Sequence, residues 1–325
     1  RSQPATGEHE VKHLPQLALL FTFTMGLCAC TLTYRLNESV DGLQAAMIAD
    51  NLESSEDYYA GRGVSAVIVD EHPMADLDDE KVAERVVYMN ELAGYLNAVS
   101  RGTTRSAAKL GASVTRTSEQ QEHVDGIVLF RGVRVGLLAD DEVACFATPG
   151  GFIWITQGAL NLCRGEDELA ALIAIQLGHA ILDHPLTNYR VEFGGLIADP
   201  EGKRAEWFHN YSVGSNFGRL SITLGEGIMD RYYNTPYNLE ADHYAALVLP
   251  QAGYEPRALV SLLNTLSIAR QVQPGVGDWL ERQNDLDARV VSTARFIGDH
   301  EMQVAASWYD KAAERQTSFD LTMGR

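Results

Sequence analysis

The sequence predicts an α+β domain preceded by a single membrane-associated segment, and three observations carry that expectation. Leu14–Leu32 (LPQLALLFTFTMGLCACTL) is apolar over the length a bilayer-spanning helix needs. Short β-branched, glycine-punctuated runs crowd into 126–156. Helical segments then occupy the chain to Arg315, and strands followed by helices are the pattern of an α+β architecture.

The 325 residues, 46% of them hydrophobic, suffice for one large domain with appendages. Lys and Arg number 26 against 44 Asp and Glu, a net charge of −18 that repels phosphate backbones and argues against nucleic acid as a partner. The acidic run Asp70–Glu80 (DEHPMADLDDE) reads as a solvated loop, with a cation or partner site as the alternative.

Taken in order, residues 1–35 form the anchor region. Lys12 and Arg35 flank the apolar run, which reads as a retained span or as a lipoprotein signal. In the second case Leu27-Cys28-Ala29-Cys30 is the lipobox-like stretch and Cys30 carries the lipid. A buried soluble helix fits less well, because the run is apolar nearly all round. Residues 36–125 read as a helical stalk and polar loop: a mixed stretch 38–61, a Gly61-Arg62-Gly63 turn, an amphipathic helix over Asp79–Val99 and a small, polar loop over Ser100–Val124. The domain proper is expected over 126–325. Gly126–Ala139, Val143–Ala147 and Phe152–Thr156 read as strands, with a sharp turn at Thr148–Gly151. Gln157–Cys163, Glu166–His184, Asn238–Leu249, Glu255–Ala269 and Asp285–Arg315 read as helices, and Gly194–Tyr233 as a long excursion. Four cysteines are too few for a disulfide framework; Cys145 and Cys163 read as two buried free thiols, or as a pair if the fold joins them.

The motif with chemical content lies in Glu166–His184. A zinc-peptidase helix carries His-Glu-x-x-His, two imidazoles one turn apart that hold the metal and a Glu that takes the proton of the bound water. Here the frame is Ile175-Gln176-Leu177-Gly178-His179. Three blocks in order, EVACFATPGGFIWITQGAL (142–160), EDELAALIAIQLGHAILDH (166–184) and YNLEADHYAALVLPQAGYEP (237–256), resemble peptidase family M48. These are zinc-dependent gluzincins that include the CAAX prenyl proteases and envelope quality-control proteases.

The resemblance implies a zincin-like domain, in which a central active-site-type helix lies against a small β-sheet. It places the first zinc ligand at Ile175, the base at Gln176, the second ligand at His179 and the third at Asn238. Only His179 keeps a ligating side chain, while Glu240, Ala241 and Asp242 keep the family pattern. Late in the chain Arg289 remains of an HPxxxxR stretch, whose His-Pro is absent from Gln283–Arg289. No catalytic residue, resident metal or other cofactor is therefore expected. His179 is expected to be a hydrogen-bonded core histidine with Asp242 as its partner. His184, about 140° further round a continuous helix, is not expected to rebuild a metal site.

In the family the strand after the TPGG turn offers its edge to substrate. Phe152, Ile153, Trp154, Ile155 and Thr156 are thus a candidate peptide-binding edge, unless the excursion covers it. The expected function is a catalytically inactive, M48-like pseudopeptidase acting as a structural or assembly subunit of an envelope complex. It is tethered through 14–32 or a lipid on Cys30, with its domain on the extracytoplasmic side and other membrane or envelope proteins as partners. The alternatives are a peptide-binding chaperone using the retained cleft and a zinc metalloendopeptidase with a rearranged site.

Overall fold

A computed structural model describes residues 54–100, 129–186, 225–229, 235–272, 277–283, 285–300, 302 and 311–325. The apolar run 14–32, Cys28 and Cys30, the polar segment 101–124 and most of the excursion 194–233 lie outside these residues. Among the described residues no helix is long and apolar enough to cross a membrane.

The architecture is mostly helical around a small mixed sheet, as the family resemblance implies. In chain order it runs α1 (Ser54–Glu71), α2 (Glu80–Ser100), β1 (Arg134–Leu138), β2 (Cys145–Thr148), β3 (Phe152–Thr156), α3 (Gln157–Leu162), α4 (Glu166–Ile181), α5 (Thr235–Gln251), α6 (Arg257–Val272), α7 (Asp278–Arg282), α8 (Leu286–Asp299) and α9 (Ala312–Met323). The helical tail expected over 285–315 is thus α8 and the start of a separate α9.

The sheet order is β1-β3-β2, with β1 parallel and β2 antiparallel to β3. This corrects the expected edge. The Pro149–Gly151 turn folds β2 back on one side of β3, and β1 returns in parallel on the other. Phe152, Ile153, Trp154, Ile155 and Thr156 therefore form the central strand, and neither of its sides is open for strand addition. Along β3, Ile153 and Ile155 enter the main core while Trp154 joins a second cluster with Ala60, Val64, Ile68 and Phe146. The sheet is accordingly buried on both faces, between α1 on one side and α2 and α4 on the other.

The expected stalk is corrected as well. From Ser54 onward its helices belong to the domain: α1 supplies Ala60, Val64 and Ile68 to the second cluster, and Met89, Leu92, Ala93 and Leu96 of α2 lie in the main core. Periodicity identifies an apolar face but not what that face meets. The Gly61-Arg62-Gly63 segment is no turn; it lies inside α1. Gly61 is needed because a Cβ there would sit 1.8 Å from the Pro149 carbonyl oxygen, so only glycine lets α1 lie on the turn. One turn on, Ser65 Oγ donates to the Gly61 carbonyl and accepts from Trp154 Nε1 at 3.0 Å, locking helix to sheet.

The acidic run behaves as a solvated loop, with Asp76, Asp78, Asp79 and Glu80 exposed. Asp79 Oδ1 accepts from the Lys81 amide at 2.9 Å, which satisfies one of the open donors at the start of α2. The outer side of β1 is occupied too. Asn90 of α2 donates to the Val135 carbonyl at 2.7 Å and accepts from the Val135 amide at 2.9 Å, while Ala75 N–H reaches the Leu137 carbonyl.

Cys145 and Cys163 are buried free thiols. Burial, then the neighbouring Cys163, pushes the Cys145 thiol well above its ordinary value, and burial, then Glu168, pushes Cys163 up to about 12.

Candidate functional site

Helix α4 is the axis of the domain. Every residue from Leu169 to Ile181 is buried, and the helix packs most extensively on α5. The two backbones come close at Gly178, where a Cβ would stand 3.2 Å from Ala241 Cα. That approach brings the motif positions of α4 against the first turns of α5.

Ile175, Gln176 and His179 are 3%, 4% and 2% exposed, and Asn238 is 4% exposed. Ile175 is part of the main core. Asn238 Nδ2 donates to Asp285 Oδ2 at 2.9 Å, so its amide is oriented by a carboxylate arriving from the start of α8.

His179 does not pair with Asp242, as the sequence had suggested. Its Nδ1 lies 3.0 Å from Nδ1 of His184, whose Nε2 lies 3.1 Å from Glu240 Oε2. The helical-wheel argument fails because α4 ends at Ile181. The chain turns at Asp183, in the left-handed region at φ 56°, and swings His184 back beside His179. The Glu240 carboxylate accepts from His184 Nε2, and the Nδ1 atoms of His179 and His184 share one hydrogen bond. Tyr237 lies against the His184 ring at a centroid distance of 4.7 Å. Burial, then His184 and Arg289, hold the His179 pKa well below the ordinary histidine value, so the imidazole is neutral.

Asp242, fully buried, receives both Nε and Nη2 of Arg289 at 2.8 Å. Burial alone would lower the Arg289 pKa; the Asp242 carboxylate outweighs it and holds the guanidinium above its usual range. Arg289 Nη1 also donates to Gln283 Oε1 at 3.2 Å, and Arg270 donates to the Gln283 carbonyl. The retained Arg289 and the residue at the lost histidine position, Gln283, thus meet in one network with Asp242. The Asp285 and His184 contacts were not legible in the sequence. Asp285 lies 47 residues from its partner, and Pro185 signals that the helix stops before it but not where the chain then turns His184.

The opposite end of α4 has a different chemistry. Glu166 accepts from Tyr254 Oη at 2.7 Å and from Tyr88 Oη, with Arg315 Nε 3.9 Å away and its guanidinium over the Tyr254 ring. Asp167 meets Arg315 at 3.3 Å, and Glu168 binds the Arg164 side chain and amide. Carboxylates at a helix N-terminus also complement its dipole.

The family's hydrolytic zinc needs three protein donors and a base near the bound water. At the corresponding positions stand an aliphatic side chain, a neutral amide, His179 and an amide turned to Asp285. Among the described residues no group of three or more His, Cys, Asp or Glu side chains is arranged to hold one metal ion. These donors do not fit that ion.

Comparison with known proteins agrees with the three blocks. The mitochondrial metalloendopeptidase OMA1 of Schizosaccharomyces pombe (strain 972 / ATCC 24843) is similar, 23% identical over 141 residues, which cover 41% of this chain and 37% of that protein. The chain therefore matches well under half of that relative's length. The family model for peptidase family M48 matches residues 130–300, from the entry into β1 through α8. With more than half of its length so matched, the chain belongs to peptidase family M48.

Proposed function

We propose that this chain is a catalytically inactive member of the family, serving as a membrane-tethered structural or assembly subunit of a larger envelope complex with its domain on the extracytoplasmic side. The observation that carries the reading is the replacement of ligand and base positions by groups with other duties. Ile175 packs into the core, Gln176 has no lone pair basic enough to take a proton from water, and Asn238 is held by Asp285. His179 is bound into the His184–Glu240 chain. Beside them Asp242 and Arg289 form a bidentate pair, and Gly178 lets α4 lie close on α5. A fold maintained around a dismantled centre suits recognition or assembly better than turnover.

The full chain purified in zinc-containing buffer is expected to carry far less than one equivalent of zinc by elemental analysis; one equivalent at His179 would overturn the reading. Ile175→His with Gln176→Glu is expected to bind zinc at least roughly a hundredfold more weakly than the triple change that adds Asn238→Glu, because the double change lacks an anionic third donor. Equal affinity would refute the third-ligand assignment of Asn238. Gentle detergent extraction of the full chain should retain a fixed partner in constant ratio, and recovery of the chain alone would refute the subunit role.

A further inference from the structure

One end of the domain carries aromatic rings and arginines at the surface. On α1, Tyr59 is 51% exposed, and beside it Phe130, just before β1, is 49% exposed. Tyr58, buried beneath them, ties the group together: its ring lies 5.4 Å from Tyr59, 6.1 Å from Phe130 and 5.2 Å from Phe152. The Arg131 guanidinium lies over both Tyr58 and Phe130, at 5.3 and 5.6 Å. Arg62 follows Tyr58 by one helical turn, and Arg134 pairs in register with Phe152. All three arginines are exposed.

Among the described residues Arg164, Arg282, Arg289 and Arg315 each meet a carboxylate, and Arg85, Arg270 and Arg325 donate to backbone carbonyls. The guanidinium groups of Arg62, Arg131 and Arg134, like those of the separate Arg257 and Arg295, meet no carboxylate among those residues, but only the first three gather around exposed rings. Asp57, the carboxylate beside Tyr58 in sequence, is buried rather than presented. A chain of net charge −18 thus gathers three unneutralised cations around a pair of exposed rings.

We infer that this face docks on an anionic lipid surface. The inference rests on the tether reading of 14–32. Two arguments select lipid. Tyr, Phe and Arg together suit the headgroup zone, where rings enter the apolar boundary and guanidinium groups meet lipid phosphates. The acidic surface as a whole is repelled by such a membrane, so charge favours contact through this cluster of cations. The patch is also leashed: the roughly twenty residues between Leu32 and Ser54 reach no more than ~70 Å fully extended, which keeps the face near any membrane that 14–32 enters. Docking would fix the orientation of the domain relative to the bilayer and present the α6 and α8 side away from it.

The test uses the full chain in nanodiscs of phosphatidylcholine, alone or mixed with phosphatidylserine, read by hydroxyl-radical footprinting. Oxidation of Tyr59 and Phe130 should slow several-fold in the anionic discs, while exposed Val272 and Leu321 serve as unchanged references. Each arginine contributes roughly fivefold to partitioning at such a surface, so the combined Arg62→Gln, Arg131→Gln and Arg134→Gln variant should lose the protection. Equal oxidation in both disc types overturns the inference. Protection in native membranes but not in anionic discs would also overturn it and assign the face to a protein partner. If the chain is not retained in discs at all, the tether reading fails. Co-flotation with preformed phosphatidylserine vesicles then decides the patch separately: arginine-dependent flotation supports it, and no flotation overturns it.

Discussion

The two ends of α4 solve opposite problems with the same buried helix. At the N-terminal end Glu166, Asp167 and Glu168 keep acidic side chains, the first two answered by hydroxyls or an arginine from other parts of the chain and Glu168 by Arg164 just ahead of the helix. At the C-terminal end the motif positions are aliphatic, amide or neutral imidazole, and the compensated charge lies off the helix in the Asp242–Arg289 pair. Charge at the first end holds α4 to α2, to α9 and to Tyr254 in the connection between α5 and α6. Charge at the second joins α5 to α8, and Ile175, Gln176, His179 and Asn238 carry none. A zinc site on a buried helix needs ionic groups that a metal must balance, whereas pairs such as Asp242–Arg289 balance one another.

The largest effect should come from breaking the second kind of pair. Arg289→Met leaves the fully buried Asp242 carboxylate without its two donors and is expected to destabilise the domain by about 3–5 kcal/mol in urea unfolding. Adding Asp242→Leu should restore much of the loss, since an apolar pair of similar volume needs no compensation. If Arg289→Met is near neutral, Asp242 is not the buried anion described above.

At the first end the penalty should be smaller, because hydroxyls and a partly exposed arginine share the load. Glu166→Ala strands the Tyr88 and Tyr254 hydroxyls and is expected to cost about 2–3 kcal/mol. A cost equal to that of Arg289→Met would erase the distinction between the two ends.

The smallest effect concerns Cys163, which precedes α4. Burial raises its folded pKa to about 12, above the ordinary thiol value, so the unfolded chain releases this proton first as pH rises. Its contribution is complete below pH ~9 and is lost above it, by up to ~1.4 kcal/mol per pH unit. Cys163→Ala should therefore lose about 1 kcal/mol less stability than the parent between pH 8 and 10, measured by urea unfolding; parallel curves would place the thiol in contact with solvent.

Much of this was legible beforehand for a local reason. β3, α3, α5 and α6 are announced by turn residues, β-branched runs or apolar periods within their own lengths, and the motif positions by spacing within single helices. What the sequence hid is non-local. Phe152–Thr156 reads equally well as an edge or as a central strand, because its alternation does not say that β1 returns in parallel beside it. The apolar faces of α1 and α2 are visible, but not the sheet that covers them. His184 looked remote from His179 only on the assumption of a continuous helix, which Asp183 breaks.

Asn90 gives the sheet an unusual boundary. Its side-chain amide offers Val135 the same donor and acceptor that a neighbouring strand would have offered, so a single residue of α2 stands in for a fourth strand. An open row of amides and carbonyls would accept any passing extended chain, a second copy of this one included. By closing the row at Val135, with the Ala75 amide on the Leu137 carbonyl beyond it, Asn90 helps to deny this edge as a template for fibrous growth.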